Sequence, residues 1–537
     1  MPCLVKRGAV MAVLLAPVSA FPSPEADIAE LKASLSALKD QYERRIQDLE
    51  TRLARAERQA ASAATGAPAV SARPVPKPAT AQPMTAPSAP GSPPAASPPA
   101  GSSTGSNPQR SAADFNPRLS VILNGNYYQD DIDGRGASIV GEAFMPGRQF
   151  HVHGAEADTA HDHAGTQNGF NFSEAEIAFS ATVDPYFDAA AYLSIDGNGG
   201  VDLEEGYFQT RLLPYGLKVK GGKFLSDFGY INRQHPHQWD FVDQNLPYLN
   251  LLGEHGLQDT GLQLTWLPEL PVYALFGIEA LQGDQEVFGA RLGEAEQEEL
   301  RLEATQDGPR LWTAFAKLSP ELPEGHALQL GVSYAHNTQY QLEEILELAL
   351  SGEEPLAEEA PHPDLLRTGL EGDATLWGID LVYRYAGGGA HGQGDFKFQA
   401  EYLRSIADAE IRSATLLDGA SGAELGDLPE LIGASRTFTT DGLYAQALYG
   451  FAPKWTAGLR YDVLGLTNSV SGGGGGEGFG ASDRWTLDLT WDLSEFSRLR
   501  AQYARNDILV APGERAHFDA FYLQFIMSLG AHGAHGF

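Results

Sequence analysis

From about Leu119 onward, the chain repeats one pattern of roughly ten residues in which apolar and polar positions alternate, followed by a break. About sixteen such segments can be counted, the first at Leu119–Tyr128 and the last at Phe518–Leu529. The breaks alternate between short turns, which mostly carry Pro or Gly, and long polar connections. Because alternation with a period of two predicts a strand with one apolar face, the chain is expected to be all-β and antiparallel.

The parity of the apolar residues indicates where each face points. Trp485, Leu487 and Leu489 share one face of their segment, and Arg484, Thr486 and Asp488 share the other. A bilayer requires closed hydrogen bonding and an apolar outer face, so the pattern predicts a transmembrane antiparallel β-barrel of about 16 strands over residues 114–537. Short periplasmic turns, long external loops and a polar, water-filled lumen follow. The alternative is a soluble β-sandwich, whose apolar faces would point inward.

The first 113 residues follow other patterns. Residues 1–20 have the basic, apolar and small-residue regions of a signal peptide, and the single cysteine, Cys3, lies within it. Residues 61–113 are rich in Pro, Ala and Ser and predict an extended linker. With the terminal Phe537, these features place the barrel in a bacterial outer membrane and the N-terminal region in the periplasm.

Residues 21–60 predict a helix with a narrow apolar seam and a heptad-like spacing. The seam consists of Ile28, Leu31, Leu35, Leu38, Tyr42, Ile46, Leu49, Leu53, Ala56 and Ala60. Such a seam favours a periplasmic coiled coil and hence a homo-oligomer, with a trimer as the preferred number. The alternative is an amphipathic helix docked on the barrel or on a membrane.

Charge divides the chain sharply. The whole chain has 37 Lys and Arg against 70 Asp and Glu, and residues 114–537 account for 25 and 62 of these, a net charge of −37. This excludes nucleic acid as a partner and favours cations or neutral solutes over anions in a pore. The sequence contains none of the common hydrolase, metalloprotease, phosphate-loop or dinucleotide motifs, so no catalytic residue and no enzyme activity are expected.

The third external connection, Phe228 to Gln258, is rich in aromatic and charged residues. In this layout the chain resembles sixteen-stranded porins, in particular the phosphate-selective porin O/P family and the carbohydrate porins that carry an N-terminal coiled coil. In those porins the third external loop folds into the barrel and sets the constriction. The resemblance implies that Arg233, Trp239, Asp240 and Asp243 line a pore constriction. Alternatively, the apolar residues of the loop pack it against the wall or a neighbouring subunit.

Histidine pairs form a second candidate site. They are His151 and His153, His161 and His163 in the first external loop, and His235 and His237 in the third. Imidazole beside carboxylate suits zinc or another divalent transition-metal cation, although a solvated His-rich loop gives the same pattern. The chain is also similar to uncharacterised proteins labelled zinc-regulated TonB-dependent outer membrane receptors. That class carries a plug of well over about a hundred residues, which the region before Leu119 does not contain.

These observations predict a porin-like outer-membrane channel for diffusion of small hydrophilic solutes, in contact with membrane lipid and lipopolysaccharide. No cofactor is required for that function. Two alternatives are an outer-membrane receptor or uptake channel for a divalent transition metal such as zinc, and a structural envelope tether in which the barrel is the anchor.

Overall fold

The computed structural model describes residues 118–147, 166–285, 287–289, 292–347, 364–419, 421–472 and 475–530. The predicted signal peptide, coiled coil and linker lie outside these residues, as does the terminal Phe537. The same holds for four of the candidate metal ligands, which are His151, His153, His161 and His163. These predictions therefore stay predictions.

The described residues contain one antiparallel sheet of 18 strands. The first nine are β1 (Arg118–Asp130), β2 (Gly169–Thr182), β3 (Phe187–Ile195), β4 (Val201–Thr210), β5 (Leu217–Leu225), β6 (Gln258–Trp266), β7 (Tyr273–Leu281), β8 (Leu311–Ser319) and β9 (His326–Glu347). The others are β10 (Leu365–Tyr385), β11 (Phe396–Leu417), β12 (Glu424–Asp427), β13 (Ser435–Ala452), β14 (Trp455–Gly472), β15 (Gly475–Gly478), β16 (Ser482–Ser494), β17 (Ser497–Ala511) and β18 (Glu514–Gly530).

The sheet closes on itself. Apart from the short β12 and β15, each strand pairs with the next wall strand, and β1 pairs with β18 from Ser120 opposite Gly530 to Asp130 opposite Ala520. The short strands β12 and β15 only extend β11 and β14, because the circuit runs directly from β11 to β13 and from β14 to β16. Sixteen strands therefore form the wall, which confirms the predicted barrel and its strand number.

The barrel has the polarity of a membrane protein. On β16 the outward Trp485 and Leu487 are 49% and 55% exposed, whereas the inward Arg484 and Thr486 are 1% and 0% exposed. Large apolar side chains are exposed in the same way on most of the wall strands. A water-soluble sandwich would reverse this arrangement, so that alternative is wrong and the strands are membrane-spanning.

The wall is uneven in height. Strands β3 to β8 have 9 or 10 residues, close to the minimum for crossing a bilayer, whereas β9, β10 and β11 have 21 or 22. Sequence alternation predicts these three strands over Ala327–Asn337, Ala374–Tyr385 and Phe396–Ser405, so their predicted ends on the long-loop side are wrong. Alternation stops there because the inner face meets apolar loop residues instead of a polar lumen. The connection expected over Thr338–Asp373 shrinks to residues 348–364.

Three short helices lie in the long connections, namely α1 (Gly136–Gly141), α2 (Leu246–Leu252) and α3 (Glu294–Glu299). Among the described residues, no helix has the length and apolar character needed to cross a membrane. Val140 of α1 and Leu251 of α2 join a hydrophobic core with Leu370 of β10 and Phe438 of β13. The long-loop half of the lumen thus contains an apolar core, so the expectation of a polar lumen is wrong where this core lies.

Candidate functional site

The connection from β5 to β6, residues 226–257 and called L3 below, folds into the barrel. Its first backbone N–H groups donate to side chains of nearby wall strands. Asp227 N–H donates to Glu279 of β7 at 3.1 Å, and Gly229 N–H donates to Ser333 of β9 at 2.9 Å. Irregular backbone is tolerated inside a barrel when its polar groups are satisfied in this way.

The middle of L3 is fixed by one carboxylate and one helix. Glu401 of β11 accepts the N–H groups of Tyr230 and Ile231 at 2.7 and 3.0 Å and the Tyr248 hydroxyl at 2.8 Å. The sequence Asn-Leu-Pro starts α2. The Asn245 side chain accepts a hydrogen bond from the Tyr248 N–H, and the first turn of a helix tolerates a proline because no intrahelical hydrogen bond is lost there. L3 is therefore a rigid element held within the lumen.

One side of L3 binds a basic wall, defined as Lys397 of β11, Arg460 of β14, Arg484 of β16 and Arg500 of β17. Asp240 lies 2.6 Å from the Lys397 ammonium and accepts a hydrogen bond from Gln446 at 2.6 Å. Asp243 accepts from Arg460, Arg484 and Gln502, each at 2.7 Å. These contacts place both aspartates directly on the wall instead of across an open gap.

The basic wall is charge-balanced. Its four cations face Asp240 and Asp243 of L3 together with Asp462 of β14 and Asp488 of β16, which lie 2.7 Å from Arg484 and 3.5 Å from Arg500. Burial alone would raise the pKa of Asp243, but Arg484 and Arg460 hold that pKa below its usual range. This side of L3 is a closed network of buried ion pairs.

The opposite side of L3 meets an acidic wall, defined as Glu174 and Glu176 of β2 and Glu204 and Glu205 of β4. All four are buried. The pairing of β3 with β4 shifts register between Tyr192 opposite Glu205 and Leu193 opposite Leu203. This β-bulge leaves Glu204 as the extra residue, so two consecutive glutamates turn into the lumen where regular alternation allows one.

His235 of L3 inserts into the acidic wall. Its Nδ1 lies 2.9 Å from Glu204 Oε2 and 3.0 Å from Glu176 Oε2, while its Nε2 lies 2.9 Å from Glu205 Oε1. The ring stacks on Tyr192 of β3 with the centroids 4.9 Å apart. Burial by itself lowers the pKa of His235, but the close contacts with the three glutamates raise that pKa well above its ordinary value.

The other candidate residues occupy different places around L3. His237 stacks on His235 and is 3.5 Å from Glu176, so the structure brings this predicted pair together. Trp239 accepts a hydrogen bond from Arg500 through its carbonyl at 3.0 Å. Arg233 lies over the Tyr230 ring, which is also contacted by Lys397, the ion-pair partner of Asp240. Asp240 and Asp243 bind directly to the basic wall, whereas Arg233 contacts an aromatic ring of L3 itself.

One cavity adjoins the acidic wall and a second lies nearer the short-turn end of the barrel. The first, of about 40 Å³, is lined by Glu204 and His235 together with Glu254 and His255 of L3. The second, of about 440 Å³, is lined by Tyr192 and by residues near the short-turn end of β2, β3 and β4, among them Arg211. His235 therefore borders the first cavity, and its stacking partner Tyr192 borders the second.

Sequence reasoning missed the wall residues that receive L3. A signal for the acidic wall existed, because Glu174 and Glu176 share one face of β2 and the consecutive Glu204 and Glu205 break the alternation of β4. Two adjacent charges within a strand, followed by Gly206, are typical of a bulge.

The barrel is porin-like in architecture, with sixteen wall strands and L3 folded inside. No protein family model matches the chain. The chain is similar to the outer membrane channel DcaP of Acinetobacter baumannii, with 12% identity and a TM-score of 0.41 over 78% of this chain and 99% of that one. It is also similar to OmpT of Vibrio cholerae, with 9% identity and a TM-score of 0.40 over 78% and 98%.

A sequence relative exists in Aquifex aeolicus (strain VF5), where it is described as an uncharacterised protein. The two sequences are 32% identical over 390 residues, which cover 72% of this chain and 74% of that protein. The match is longer than any single loop or hairpin and extends over most of both chains. The chain therefore belongs to the same protein family as the Aquifex aeolicus protein.

Proposed function

We propose that the protein is an outer-membrane channel for small hydrophilic solutes, with L3 as its constriction and a preference for cations or neutral molecules. The observation that supports it is the position of L3, which crosses the lumen from a basic wall to an acidic wall. A segment tied to both sides leaves narrow passages instead of a wide pore. The solutes that pass are therefore small.

The acidic wall supports the cation preference. The basic wall is neutralised by four aspartates. Among the described residues, the ion-pair partners of the acidic wall across L3 are the imidazoles of His235 and His237. The path that we propose runs between L3 and strands β2 to β4, past the cavity of about 40 Å³ beside Glu204 and then through the cavity of about 440 Å³ near the short-turn end. A negative lining in a low-dielectric wall favours cations.

The test is single-channel recording of the refolded full chain in planar bilayers, with the reversal potential measured in a salt gradient. Open steps with a cation-selective reversal potential are expected. Asp243→Asn weakens the hold of the basic wall on L3 and is expected to change the step size or add flicker. Glu298→Gln, which removes one exposed charge on α3, is the matched control and leaves the steps unchanged.

If the folded protein shows no conductance, the channel function is excluded and the structural envelope tether remains as an alternative function. An anion-selective reversal potential would overturn the assigned preference while keeping the channel. Equal effects of Asp243→Asn and Glu298→Gln would show that L3 is not the constriction.

We also propose that the barrels associate as a homotrimer in contact with lipopolysaccharide. The seam of residues 21–60 supports oligomerisation, and so does Phe170 at one end of β2, an apolar side chain that is 91% exposed. Sedimentation of the full chain and of a chain lacking residues 21–60 tests this proposal. A monomer in both cases would contradict it.

A further inference from the structure

His235 and the acidic wall share the geometry of a metal centre. The ligand atoms of Glu176, Glu204 and His235 all lie within 4.8 Å of one another, and all three side chains are buried. We propose that these three residues bind a divalent transition-metal ion, with His235 Nδ1, Glu176 Oε2 and Glu204 Oε2 as ligands. This metal site is independent of the proposed channel function, because a metal ion can bind whether or not the lumen conducts.

The hydrogen-bond geometry around Nδ1 supports a metal ion. This nitrogen lies 2.9 and 3.0 Å from two carboxylate oxygens, yet it carries at most one proton, which points toward one acceptor. Glu176 Oε2 accordingly receives no hydrogen bond, although Glu176 is only 1% exposed. A cation between the three atoms satisfies both carboxylates and the imidazole lone pair at once.

The spacing of the three atoms is close to that of a ligand set. Zinc bonds to nitrogen and oxygen are about 2.0–2.2 Å long, so ligands of a tetrahedral ion are about 3.3 Å apart. The two measured separations from Nδ1 are shorter by a few tenths of an ångström. Small side-chain rotations therefore suffice to admit the ion.

Glu205 supplies the outer partner that histidine ligands usually have. It accepts the Leu225 N–H at 3.0 Å, and its other oxygen lies 2.9 Å from His235 Nε2. With the proton on Nε2, this contact fixes the tautomer that leaves Nδ1 free for a metal. The bulge that turns Glu204 and Glu205 inward together thus provides a ligand and its support in adjacent residues.

Charge and space complete the argument. Four glutamates and the two imidazoles of His235 and His237 carry a net negative charge in every protonation state of the imidazoles, as long as all four glutamates are ionised. Such a charge within a barrel calls for a cation. Three protein ligands leave a coordination position open, and the cavity of about 40 Å³ beside Glu204 and His235 has room for a water molecule there. An imidazole nitrogen in the set favours zinc and its neighbours over calcium or magnesium.

The test measures zinc binding to the folded full chain without a histidine tag. The background carries His151→Ala, His153→Ala, His161→Ala and His163→Ala, together with His532→Ala and His535→Ala, so that other histidine pairs do not contribute. After treatment with a chelator, equilibrium dialysis is expected to give one zinc per chain. Cobalt substitution is expected to give the intense visible absorption of a four- or five-coordinate ion.

In that background, His235→Ala and Glu176→Gln are expected to weaken zinc binding at least about 100-fold, and Glu205→Gln about 10- to 100-fold. His336→Ala is the control, because this histidine also lies near a carboxylate, Asp373, but on β9. Mobility on unheated gels verifies that each variant is folded. If the folded protein binds zinc but shows no conductance, the proposed channel function is contradicted and the proposed metal site is supported.

Two results would overturn the site. One is the absence of zinc and cobalt binding by folded protein, which would show that His235 is held by a proton alone. The other is zinc binding that survives His235→Ala and Glu176→Gln, which would place the ion elsewhere. A conducting channel with either result would leave the proposed function standing.

Discussion

The two walls that hold L3 differ in how their charges are compensated. On the basic wall, Lys397 and three arginines face four aspartates within one network of close ion pairs. On the acidic wall, four glutamates face two imidazoles. The first arrangement is complete with the residues of the chain, whereas the second has excess negative charge. The basic wall therefore fixes L3, and the acidic wall is where we propose that solutes and ions act.

The largest expected effect comes from removing a cation of the basic wall. Arg484→Ala leaves Asp243 and Asp462 buried with one cation fewer, so the free energy of unfolding in lipid vesicles should fall by about 3–5 kcal/mol. Arg498→Ala is the control on the neighbouring strand, where the pair with Asp492 is partly exposed, and it should cost less than about 1 kcal/mol. Equal losses in denaturant titrations would mean that the buried network does not hold L3.

Zinc should stabilise the protein through the acidic wall alone. At about 100 times the dissociation constant, zinc should raise the free energy of unfolding by about 2.7 kcal/mol, and a chelator should remove the gain. The gain should persist in Arg484→Ala and vanish in His235→Ala, with both variants made in the background that lacks the six histidines outside the site. A gain that Arg484→Ala abolishes would show that the two walls are not independent.

Neutralising one carboxylate should act in opposite directions at the two walls. In metal-free protein, Asp243→Asn should lower the free energy of unfolding by about 2 kcal/mol, because Arg460 and Arg484 lose a charged acceptor. Glu174→Gln should raise it by about 1 kcal/mol, because Glu174 lies among like charges and its Oε1 accepts no hydrogen bond. If calorimetry shows that both variants lower the free energy of unfolding, the two walls do not differ in how their charges are compensated.

The sequence predicts the wall far better than the interior. Period-two alternation predicts the barrel and its sixteen strands, because lipid imposes one simple rule on the outer face. The interior obeys no such rule. Leu366 and Leu370 of β10 face apolar loop residues, so polarity there does not distinguish inside from outside.

The candidate site shows the same limit. Asp240, Asp243, His235 and His237 stand out within L3 because of their chemistry. Their partners do not, since Glu401 of β11 lies more than a hundred residues away along the chain, and its role depends on how L3 crosses the lumen. Glu204 faces the lumen because of the β-bulge in β4, and strict period-two alternation does not predict a bulge.

The smallest effect concerns acid pH at the basic wall. Because Arg484 and Arg460 hold the pKa of Asp243 below its unfolded value of about 3.9, ionised Asp243 stabilises the fold above that value. The contribution is lost as the pH falls through the folded pKa. The difference in free energy of unfolding between wild type and Asp243→Asn should thus be constant above about pH 5 and shrink below about pH 4. A difference that stays constant down to pH 2.5 would mean that charge at Asp243 contributes nothing, and that hydrogen bonding alone fixes L3 to the basic wall.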